Sequence, residues 1–256
     1  MAVKKPKGRP PGIKLKRGMV LAAGLGKRMR PITLTTPKPL IQVAGRSLLD
    51  RALDRMEEIR MKEAVVNLHY MGDRIKRHLT KNRVNPKIIF SDETEQLLET
   101  GGGVKKALKH FKDEPFLVMN SDAMLLNGPD IALDRLAEQW DPEKMDALLL
   151  VSFTVDAYGY EGKGDFLLNP LGRVKRRPEG EVAPYLFTGT QILHPKVFEN
   201  TPDGPFSLNL IYDRLIEQGR LYAVVHDGEW FHVGTPDGLD QAETFMGERY
   251  AGVQRR

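Results

Sequence analysis

The sequence predicts a three-layer α/β fold built on a mostly parallel central sheet, and three observations lead to this prediction. From residue 18 onward, strand-like apolar segments alternate with helix-like segments, as in parallel sheets that carry helices on both faces. The 256 residues are 41% apolar, which is enough to bury one substantial core. A glycine-rich turn follows the first strand, at the sheet edge where such folds bind ligands.

The elements are assigned from apolar periodicity and from the residues that flank each segment. Capping residues support three of the helices: Ser47 precedes the first, Pro236 opens the last, and Gly219 closes the fifth. Apolar runs predict strands at 18–23, 64–68, 87–91, 115–120, 146–154 and 221–226. Amphipathic spacing predicts helices at about 47–60, 71–80, 102–111, 130–140, 207–218 and 236–248.

The stretch 155–190 differs in composition from the rest of the chain. It is rich in glycine and charged residues, and its strand-like segments are short. We therefore expect a small β-rich excursion from the main sheet that covers one side of the ligand site.

The basic charge of the chain is concentrated in its first 17 residues. Seven of the 39 Lys and Arg residues lie in 1–17, which contains no acid, so 32 basic residues remain against 34 acidic ones. This segment is rich in Pro and Gly with little to bury, and we expect it to be a disordered tail. Nucleic acid is therefore not an expected partner of the body of the chain, and only the basic tail keeps that alternative open.

Two further features bear on the environment of the protein. No apolar run reaches the ~18–20 residues that span a bilayer, and the first residues lack the apolar core of a signal peptide. The absence of cysteine excludes disulfides, thiolate metal sites and cysteine nucleophiles. We expect a cytoplasmic protein without a membrane partner, and the sequence indicates no particular oligomeric state.

A strand end, a glycine turn and a group of cations follow one another in residues 21–40. Glycine turns let a backbone come close to a ligand, and Arg and Lys side chains bind phosphate. Together these features predict a cradle for a polyphosphate, with a solvated turn as the alternative. The spacing matches neither the Walker A motif nor the dinucleotide-binding fingerprint. The candidate residues are Leu21, Ala22, Ala23, Gly24, Gly26, Lys27, Arg28 and Lys38.

The whole string resembles the N-terminal signature of the sugar-1-phosphate nucleotidylyltransferases. That pattern reads Leu-Ala-x-Gly-x-Gly-x-Arg-(Met/Leu)-x-Pro, followed by Pro-Lys-Pro-(Leu/Met), and it matches residues 21–31 and 37–40. The resemblance implies a Rossmann-like nucleotidyltransferase fold with a β-rich sugar-binding excursion. It implies a single domain at 18–250, with a nucleotide half at about 18–125, a sugar half at about 126–235 and a C-terminal helix at 236–248.

The resemblance also implies a reaction and the residues that carry it. Members of the family join a nucleoside triphosphate to a sugar 1-phosphate and release pyrophosphate. Arg28, with Lys27, is then expected to bind the leaving phosphates, and Lys38 to neutralise charge at the α-phosphate. Arg28 and Lys38 are therefore the catalytic candidates.

The segment 98–103 resembles the base-binding loop of the same family. Its three consecutive glycines suit a bare backbone that lies against a nucleobase. The alternative is a flexible linker with a threonine cap. The candidate nucleotide-binding residues of this loop are Glu99, Thr100, Gly101 and Gly102.

Asp122 follows the apolar strand 115–120, where burying a carboxylate is costly unless it is paired or binds a metal. The resemblance implies that Asp122 binds Mg²⁺ between the nucleotide and the sugar phosphate; a helix cap or turn is the alternative. The family usually supplies a second acid in Trp-x-Asp-x-Gly-Thr, but His232 stands there. Imidazole is a softer ligand than Mg²⁺ prefers. Three alternatives therefore stay open. Asp122 holds the metal ion with phosphates and water, His232 contributes to metal binding weakly or through a water, or the activity is impaired.

The sugar side rests on a weaker resemblance. Thr188 and Gly189 resemble the Thr-Gly of the sugar-side strand in the family. Many members carry Glu-Lys-Pro upstream, where the Lys binds the sugar phosphate, and the aligned residues here are Arg176, Arg177 and a proline. The resemblance implies that Arg177 binds the phosphate and that Arg176, in place of an acid, suits a sugar with its own carboxylate. A solvated basic hairpin is the alternative.

Within the family, the chain most resembles the enzymes of peptidoglycan recycling that transfer UMP from UTP to N-acetylmuramate 1-phosphate. Its compact length, its glycine-rich loop, the segment Thr188–Pro195 and the missing second acid carry this likeness. Two enzyme alternatives stay open: a mannose-1-phosphate guanylyltransferase and a glucose-1-phosphate uridylyl- or thymidylyltransferase. Outside enzymes, a nucleotide-sugar sensor is the alternative.

Overall fold

The computed structural model describes residues 12–251, with side chains described through residue 249. The strands are β1 (Arg17–Leu21), β2 (Gln42–Val43), β3 (Arg46–Ser47), β4 (Glu63–Leu68), β5 (Lys87–Asp92), β6 (Phe116–Asn120), β7 (Ala123–Leu125), β8 (Ala147–Phe153), β9 (Ala157–Tyr158), β10 (Phe166–Leu168), β11 (Val174–Arg176), β12 (Tyr185–Leu193), β13 (Leu221–Val225) and β14 (Trp230–His232). The α-helices are α1 (Leu48–Glu58), α2 (Gly72–Asn82), α3 (Glu99–Ala107), α4 (Ala132–Glu138), α5 (Asn209–Glu217) and α6 (Pro236–Ala251).

Within residues 12–251, nine strands form the main sheet, in the order β11-β10-β12-β6-β1-β4-β5, with β8 paired to β12 and β13 to β8. Strands β6, β1, β4 and β5 are mutually parallel, and β13 is parallel to β8. Strand β12 runs antiparallel to β6, β8 and β10. The predicted α/β class is confirmed. The core strands of the sheet are parallel, as predicted, and the sheet is mixed because β12 runs antiparallel to its three partners.

Side chains of the parallel strands alternate between the two faces of the sheet. Met19 of β1 is fully buried in a cluster with residues of α3 and α5. Its neighbour Val20 is fully buried in a cluster with residues of α1, α2 and α4. A central strand with helices on both faces is apolar at successive positions, as β1 is. The alternation produces the three layers that the sequence predicts.

The helix boundaries confirm some predicted signals and correct one. The Ser47 hydroxyl accepts a hydrogen bond from the Asp50 N–H (3.0 Å), so it caps α1 as predicted. Helix α3 begins at Glu99 and not at residue 102, so the three consecutive glycines lie in its first turns. A Cβ added at Gly102 would meet the carbonyl of Gly204. The glycines therefore let α3 pack closely against neighbouring backbone.

Residues 12–17 are not part of a disordered tail, which corrects that portion of the prediction. The Gly12 N–H donates to the Trp140 carbonyl (3.1 Å), and Leu15 is buried. These contacts join the segment to α4 and the core beside it. The remainder of the predicted tail, residues 1–11, lies outside the described residues.

The sugar-side excursion has the β-rich character that its composition predicts. The stretch 155–190 contains β9, β10, β11 and the start of β12, and β9 joins a second sheet in the order β7-β14-β9. Strands β2, β3, β7 and β14 are missing from the sequence-based assignment because each has only two or three residues. Across residues 12–251, no helix is long and apolar enough to cross a membrane.

Gly102 provides a test of the packing of α3. Gly102→Ala adds a Cβ that lies well inside contact distance of the Gly204 carbonyl. We expect the free energy of unfolding to fall by about 1–3 kcal/mol. The control is Gly247→Ala in α6, where nothing lies within 4 Å of the added Cβ; this variant should gain up to about 1 kcal/mol. Urea unfolding measures both, and equal stabilities would contradict the packing.

Candidate active site

A cavity of about 360 Å³ opens at the carboxyl ends of the parallel strands β1, β4 and β6. This edge is where α/β sheets of parallel strands bind their ligands. Two segments form much of its lining: the phosphate segment, residues 22–28, and the α3 wall, residues 97–100. The predicted site residues that line the cavity are Leu21, Ala23, Gly24, Gly26, Lys27, Arg28, Lys38, Glu99, Thr100 and Asp122.

Two glycines shape the phosphate segment. No atom of the described residues lies within 4 Å of a Cβ added at Gly24, so the space beside this backbone is open to a ligand. Gly26 has a φ of 61°, a conformation that favours glycine, and its carbonyl accepts a hydrogen bond from the Thr33 hydroxyl (2.9 Å). Lys27 and Arg28 follow on an exposed 3₁₀ turn, and neither forms an ion pair within residues 12–249. Both cations are therefore free to bind an anion.

Lys38 and Asp122 form an ion pair at the cavity, with Nζ 3.0 Å from Oδ2. Lys38 is only 9% exposed. A buried ammonium without a counter-charge is strongly destabilising, so the pair stabilises Lys38 in its position. The second carboxylate oxygen of Asp122, Oδ1, has no hydrogen-bond partner among the described residues. One oxygen of this carboxylate thus remains available to a ligand.

The charges around Asp122 keep it ionised. Burial acts to raise the pKa of the Asp122 carboxyl, but the Lys38 ammonium opposes it, with smaller contributions from His232 and Arg28. The pKa of Asp122 therefore lies below its ordinary value. The cavity consequently presents a carboxylate among cations at neutral pH.

Strand β14 brings His232 close to Asp122. In the antiparallel pair of β14 and β7, His232 lies opposite Ala123, and the Val233 N–H donates to the Asp122 carbonyl (3.0 Å). Burial lowers the pKa of the His232 imidazole by more than neighbouring Asp122 raises it, so the pKa lies below its ordinary value. The ring is therefore neutral at pH 7, as a metal ligand must be. His232 itself is not part of the cavity lining.

The donors present fit a hard divalent cation that takes few protein ligands. Mg²⁺ usually binds one or two carboxylates and completes its coordination with phosphate oxygens and waters. In the described part of the chain, no group of three or more His, Asp, Glu or Cys residues could hold a metal ion. A cation at Asp122 would therefore depend on phosphate ligands. The metal roles of Asp122 and His232 stay predictions.

The α3 wall differs from the predicted base-binding loop. Glu99 begins α3 with a φ of 58°, and Glu99 and Thr100 line the cavity. Gly101 and Gly102 do not line it. Their N–H groups donate to the Phe206 carbonyl (2.7 and 3.2 Å), and both glycines are buried. These two glycines allow close packing of the wall, and their predicted contact with a base stays a prediction.

Polar residues that the sequence analysis missed complete the lining. Asn67, Asn120 and Ser121 all border the cavity. Asn67 is 2% exposed, and its Oδ1 accepts a hydrogen bond from the Ala22 N–H (2.7 Å). The Ser121 hydroxyl donates to the Leu21 carbonyl (2.6 Å) and so joins the end of β6 to the end of β1. An amide within the otherwise apolar strand 64–68 is the signal that could have identified Asn67.

Arg176 and Arg177 do not line this cavity, and their predicted contact with a sugar phosphate stays a prediction. Arg176 forms an ion pair with Asp213 on α5 (2.7 Å). The Arg177 guanidinium donates to the carbonyls of Gly164 (3.0 Å) and Glu181 (2.8 Å). Arg177 thus joins parts of the sugar-side excursion to each other, and Arg176 joins the excursion to α5.

Thr188 and Gly189 lie at an irregularity in the pairing of β12 with β8. Gly189 has a φ of 85°, and a Cβ added there would lie 2.8 Å from the Asn120 side chain. The Thr188 hydroxyl donates to the Leu150 carbonyl (2.7 Å), so it is already engaged within the sheet. Gly189 therefore adjoins the cavity through Asn120, and the predicted sugar contacts of both residues stay predictions.

Known proteins resemble the chain in sequence and in structure. The model of the family described as nucleotidyl transferase matches residues 17–249. The N-acetylmuramate alpha-1-phosphate uridylyltransferase of Caulobacter vibrioides is 42% identical over 91% of this chain and 98% of its own, and that of Neisseria meningitidis serogroup B is 34% identical over 90% and 98%. The crystal structure of HddC from Yersinia pseudotuberculosis complexed with GMP-PN has a TM-score of 0.74 at 25% identity, over 91% of this chain and 100% of its own.

Gly24 tests whether a ligand approaches the phosphate segment. Gly24→Ala should leave the free energy of unfolding within about 0.5 kcal/mol, as surface substitutions usually do, because nothing lies within 4 Å of the added Cβ. We expect it to weaken binding of inorganic pyrophosphate about tenfold, which corresponds to about 1.4 kcal/mol. Calorimetric titration measures this, with Gly247→Ala as the control. Wild-type affinity in Gly24→Ala would mean that the ligand does not contact this backbone.

Proposed function

We propose, because the chain belongs to the nucleotidyl transferase family, that it transfers UMP from UTP to N-acetylmuramate 1-phosphate and releases pyrophosphate. The chain is a nucleotidyltransferase that acts on sugar 1-phosphates, which confirms the family indicated by residues 21–40. The relatives from Caulobacter and Neisseria, which this chain spans almost end to end, support UTP and N-acetylmuramate 1-phosphate as the substrates.

One observation carries the proposal: the Lys38–Asp122 ion pair lies in the same cavity as the open backbone at Gly24. Nucleotidyl transfer requires a cation near the attacked phosphate and a carboxylate that can hold a metal ion. It also requires a surface along which a triphosphate can lie. This cavity contains all three elements within one set of strand ends.

The reaction needs no covalent nucleophile. A phosphate oxygen of the sugar 1-phosphate attacks the α-phosphorus of UTP in line, a new P–O bond forms, and the bond to the β-phosphate breaks as pyrophosphate leaves. The protein contributes orientation and charge neutralisation. We assign the leaving phosphates to Arg28, Lys27 and the phosphate-segment backbone, the α-phosphate to Lys38, and the base to the α3 wall.

Mg²⁺ is the proposed cofactor, held by Asp122, with His232 acting directly or through a water. When bound, Mg²⁺ neutralises phosphate charge and aligns the two substrates. The Lys38 ammonium beside it lowers the pKa of the Asp122 carboxyl, which keeps the carboxylate ionised for this role. The proposed compartment is the cytoplasm, in agreement with a chain that contains no cysteine.

Pyrophosphate release tests the proposal. The enzyme is assayed with Mg²⁺, with UTP, dTTP or GTP, and with the 1-phosphates of N-acetylmuramate, glucose and mannose. We expect the highest kcat/KM for UTP with N-acetylmuramate 1-phosphate. A preference for GTP with mannose 1-phosphate, or for glucose 1-phosphate, would contradict the proposed substrates and identify the preferred pair as the substrates instead. Nucleotide-sugar binding without turnover would support a sensor.

Lys38→Ala tests the proposed neutralisation of the α-phosphate. We expect kcat to fall by at least ~10², as when one preorganised charge is lost from a transition state. The control is Lys196→Ala, which removes a lysine paired with Asp146 (2.8 Å) outside the cavity. Steady-state pyrophosphate release measures both. A Lys38→Ala enzyme with kcat close to wild type would remove Lys38 from the mechanism.

Asp122→Asn tests the proposed metal ligand. Because an amide is neutral and binds hard cations weakly, we expect loss of Mg²⁺-dependent turnover and weaker Mn²⁺ binding to the complex of enzyme and UTP, measured without sugar 1-phosphate. The control Asp203→Asn neutralises a fully exposed carboxylate that pairs with Lys105 (2.8 Å). Electron paramagnetic resonance of added Mn²⁺ measures metal binding independently of turnover. Unchanged activity in ordinary Mg²⁺ would place the metal elsewhere.

A further inference from the structure

A chain of buried polar groups runs beside the cavity. The Ala22 N–H donates to Asn67 Oδ1 (2.7 Å), and Asn67 Nδ2 donates to Glu93 Oε1 (2.8 Å). The other carboxylate oxygen, Glu93 Oε2, accepts a hydrogen bond from the Leu98 N–H (3.3 Å). Asn67 and Glu93 are 2% and 1% exposed, so bulk water cannot substitute for these bonds.

This polar chain connects the two segments that line the cavity. Ala22 opens the phosphate segment, directly before Ala23 and Gly24. Leu98 lies within the α3 wall, between Leu97 and Glu99. The three hydrogen bonds therefore tie the segment assigned to the triphosphate to the segment assigned to the base.

Burial makes an ionised carboxyl at Glu93 energetically unfavourable. Burial raises the pKa of its carboxyl above the ordinary value, and the hydrogen bonds from Asn67 and Leu98 only partly oppose this. Helix α3 also packs tightly against the Glu93 side chain, because a Cβ added at Gly103 would lie 2.8 Å from Glu93 Oε1. Glu93 does not line the cavity. Because this buried carboxyl does not line the cavity, it can affect a bound ligand only through the groups to which it is hydrogen-bonded.

We infer that Glu93 is a positioning residue for the nucleotide, which it serves by holding the α3 wall at a set distance from the phosphate segment. The inference rests on the proposed function for the identity of the nucleotide. Base and triphosphate are covalently joined in one ligand of limited length, so a shift of one wall against the other weakens both sets of contacts. The proposed function assigns the sugar 1-phosphate to neither wall, so its binding should be little affected.

Hydrogen-bond polarity makes the inference testable. A carboxylate at position 93 accepts from both N–H partners, Asn67 Nδ2 and the Leu98 backbone. Glu93→Gln offers one acceptor and one donor, so one of the two N–H groups must face another N–H. We expect the dissociation constant for UTP to rise about tenfold, the effect of leaving one buried group unsatisfied. The KM for the sugar 1-phosphate and kcat at saturation should change less than about twofold.

A double variant restores the pattern with its polarity reversed. In Asn67→Asp with Glu93→Gln, the introduced aspartate accepts from the Ala22 N–H and from the introduced amide. The amide oxygen then accepts from the Leu98 N–H, so every bond of the chain is satisfied. The net charge of the pair is unchanged. Because Asn67 borders the cavity, the carboxylate of Asn67→Asp would itself repel a triphosphate. We therefore expect this double variant to recover most of the unfolding temperature that Glu93→Gln loses, and UTP affinity is compared only between Glu93→Gln and wild type.

The matched control is Glu114→Gln, a carboxylate that also accepts two hydrogen bonds, from Lys16 and Arg17 (both 3.0 Å), far from the cavity. Calorimetric titration with UTP and thermal unfolding are measured on the full chain. UTP affinity within twofold of wild type in Glu93→Gln, or a double variant that unfolds at no higher temperature than Glu93→Gln, would overturn the inference. Wild-type protein that fails to bind UTP would instead contradict the proposed function.

Discussion

The ion pair between Lys38 and Asp122 is the interaction on which the site depends. It joins two residues that are 84 positions apart in the chain, one after the phosphate segment and one at the end of β6. Neither charge is stable in this half-buried place alone, because desolvation penalises an unpaired ammonium or carboxylate. Paired, they provide the cation and the metal ligand that phosphate transfer needs. Gly24, the turn after it and the α3 wall are arranged around this pair.

Much of the nucleotide half could be predicted because its signals are local. The apolar run of β1 and the glycines directly after it lie within a few residues, and so does the acid directly after β6. In parallel α/β sheets the carboxyl ends of neighbouring strands meet at one edge, so the cavity between Gly24 and Asp122 follows from the order of the elements. The structure places both residues in one cavity.

The features of the site that the sequence analysis did not anticipate depend on contacts between residues distant in sequence. The three glycines of α3 resemble a ligand-binding loop in sequence, yet the first two pack against residues 204–206 and the third packs against Glu93. Glu93 and Asn67 are ordinary polar residues until β4, β5 and α3 bring them together. The same holds for Arg177, whose partners are backbone carbonyls. Sequence periodicity carries no information on such pairings.

The sugar half is less predictable than the nucleotide half for a topological reason. Strand β12 pairs with β6, β8 and β10 at once, and it does so antiparallel to each of them. Its irregularity at Thr188 and Gly189 seats Gly189 against Asn120 of the cavity. These pairings join segments far apart in the chain, and short strands such as β14 give weak local signals. The position of His232 beside Asp122 depends on one of them.

A crystal structure of the protein with UTP and Mg²⁺ bound would test the central claim most directly. The account predicts a triphosphate that lies along the backbone at Gly24, with Lys38 at the α-phosphate, the base on the α3 wall and the metal ion on Asp122. A nucleotide bound away from this cavity, or a metal ion bound without Asp122, would contradict it.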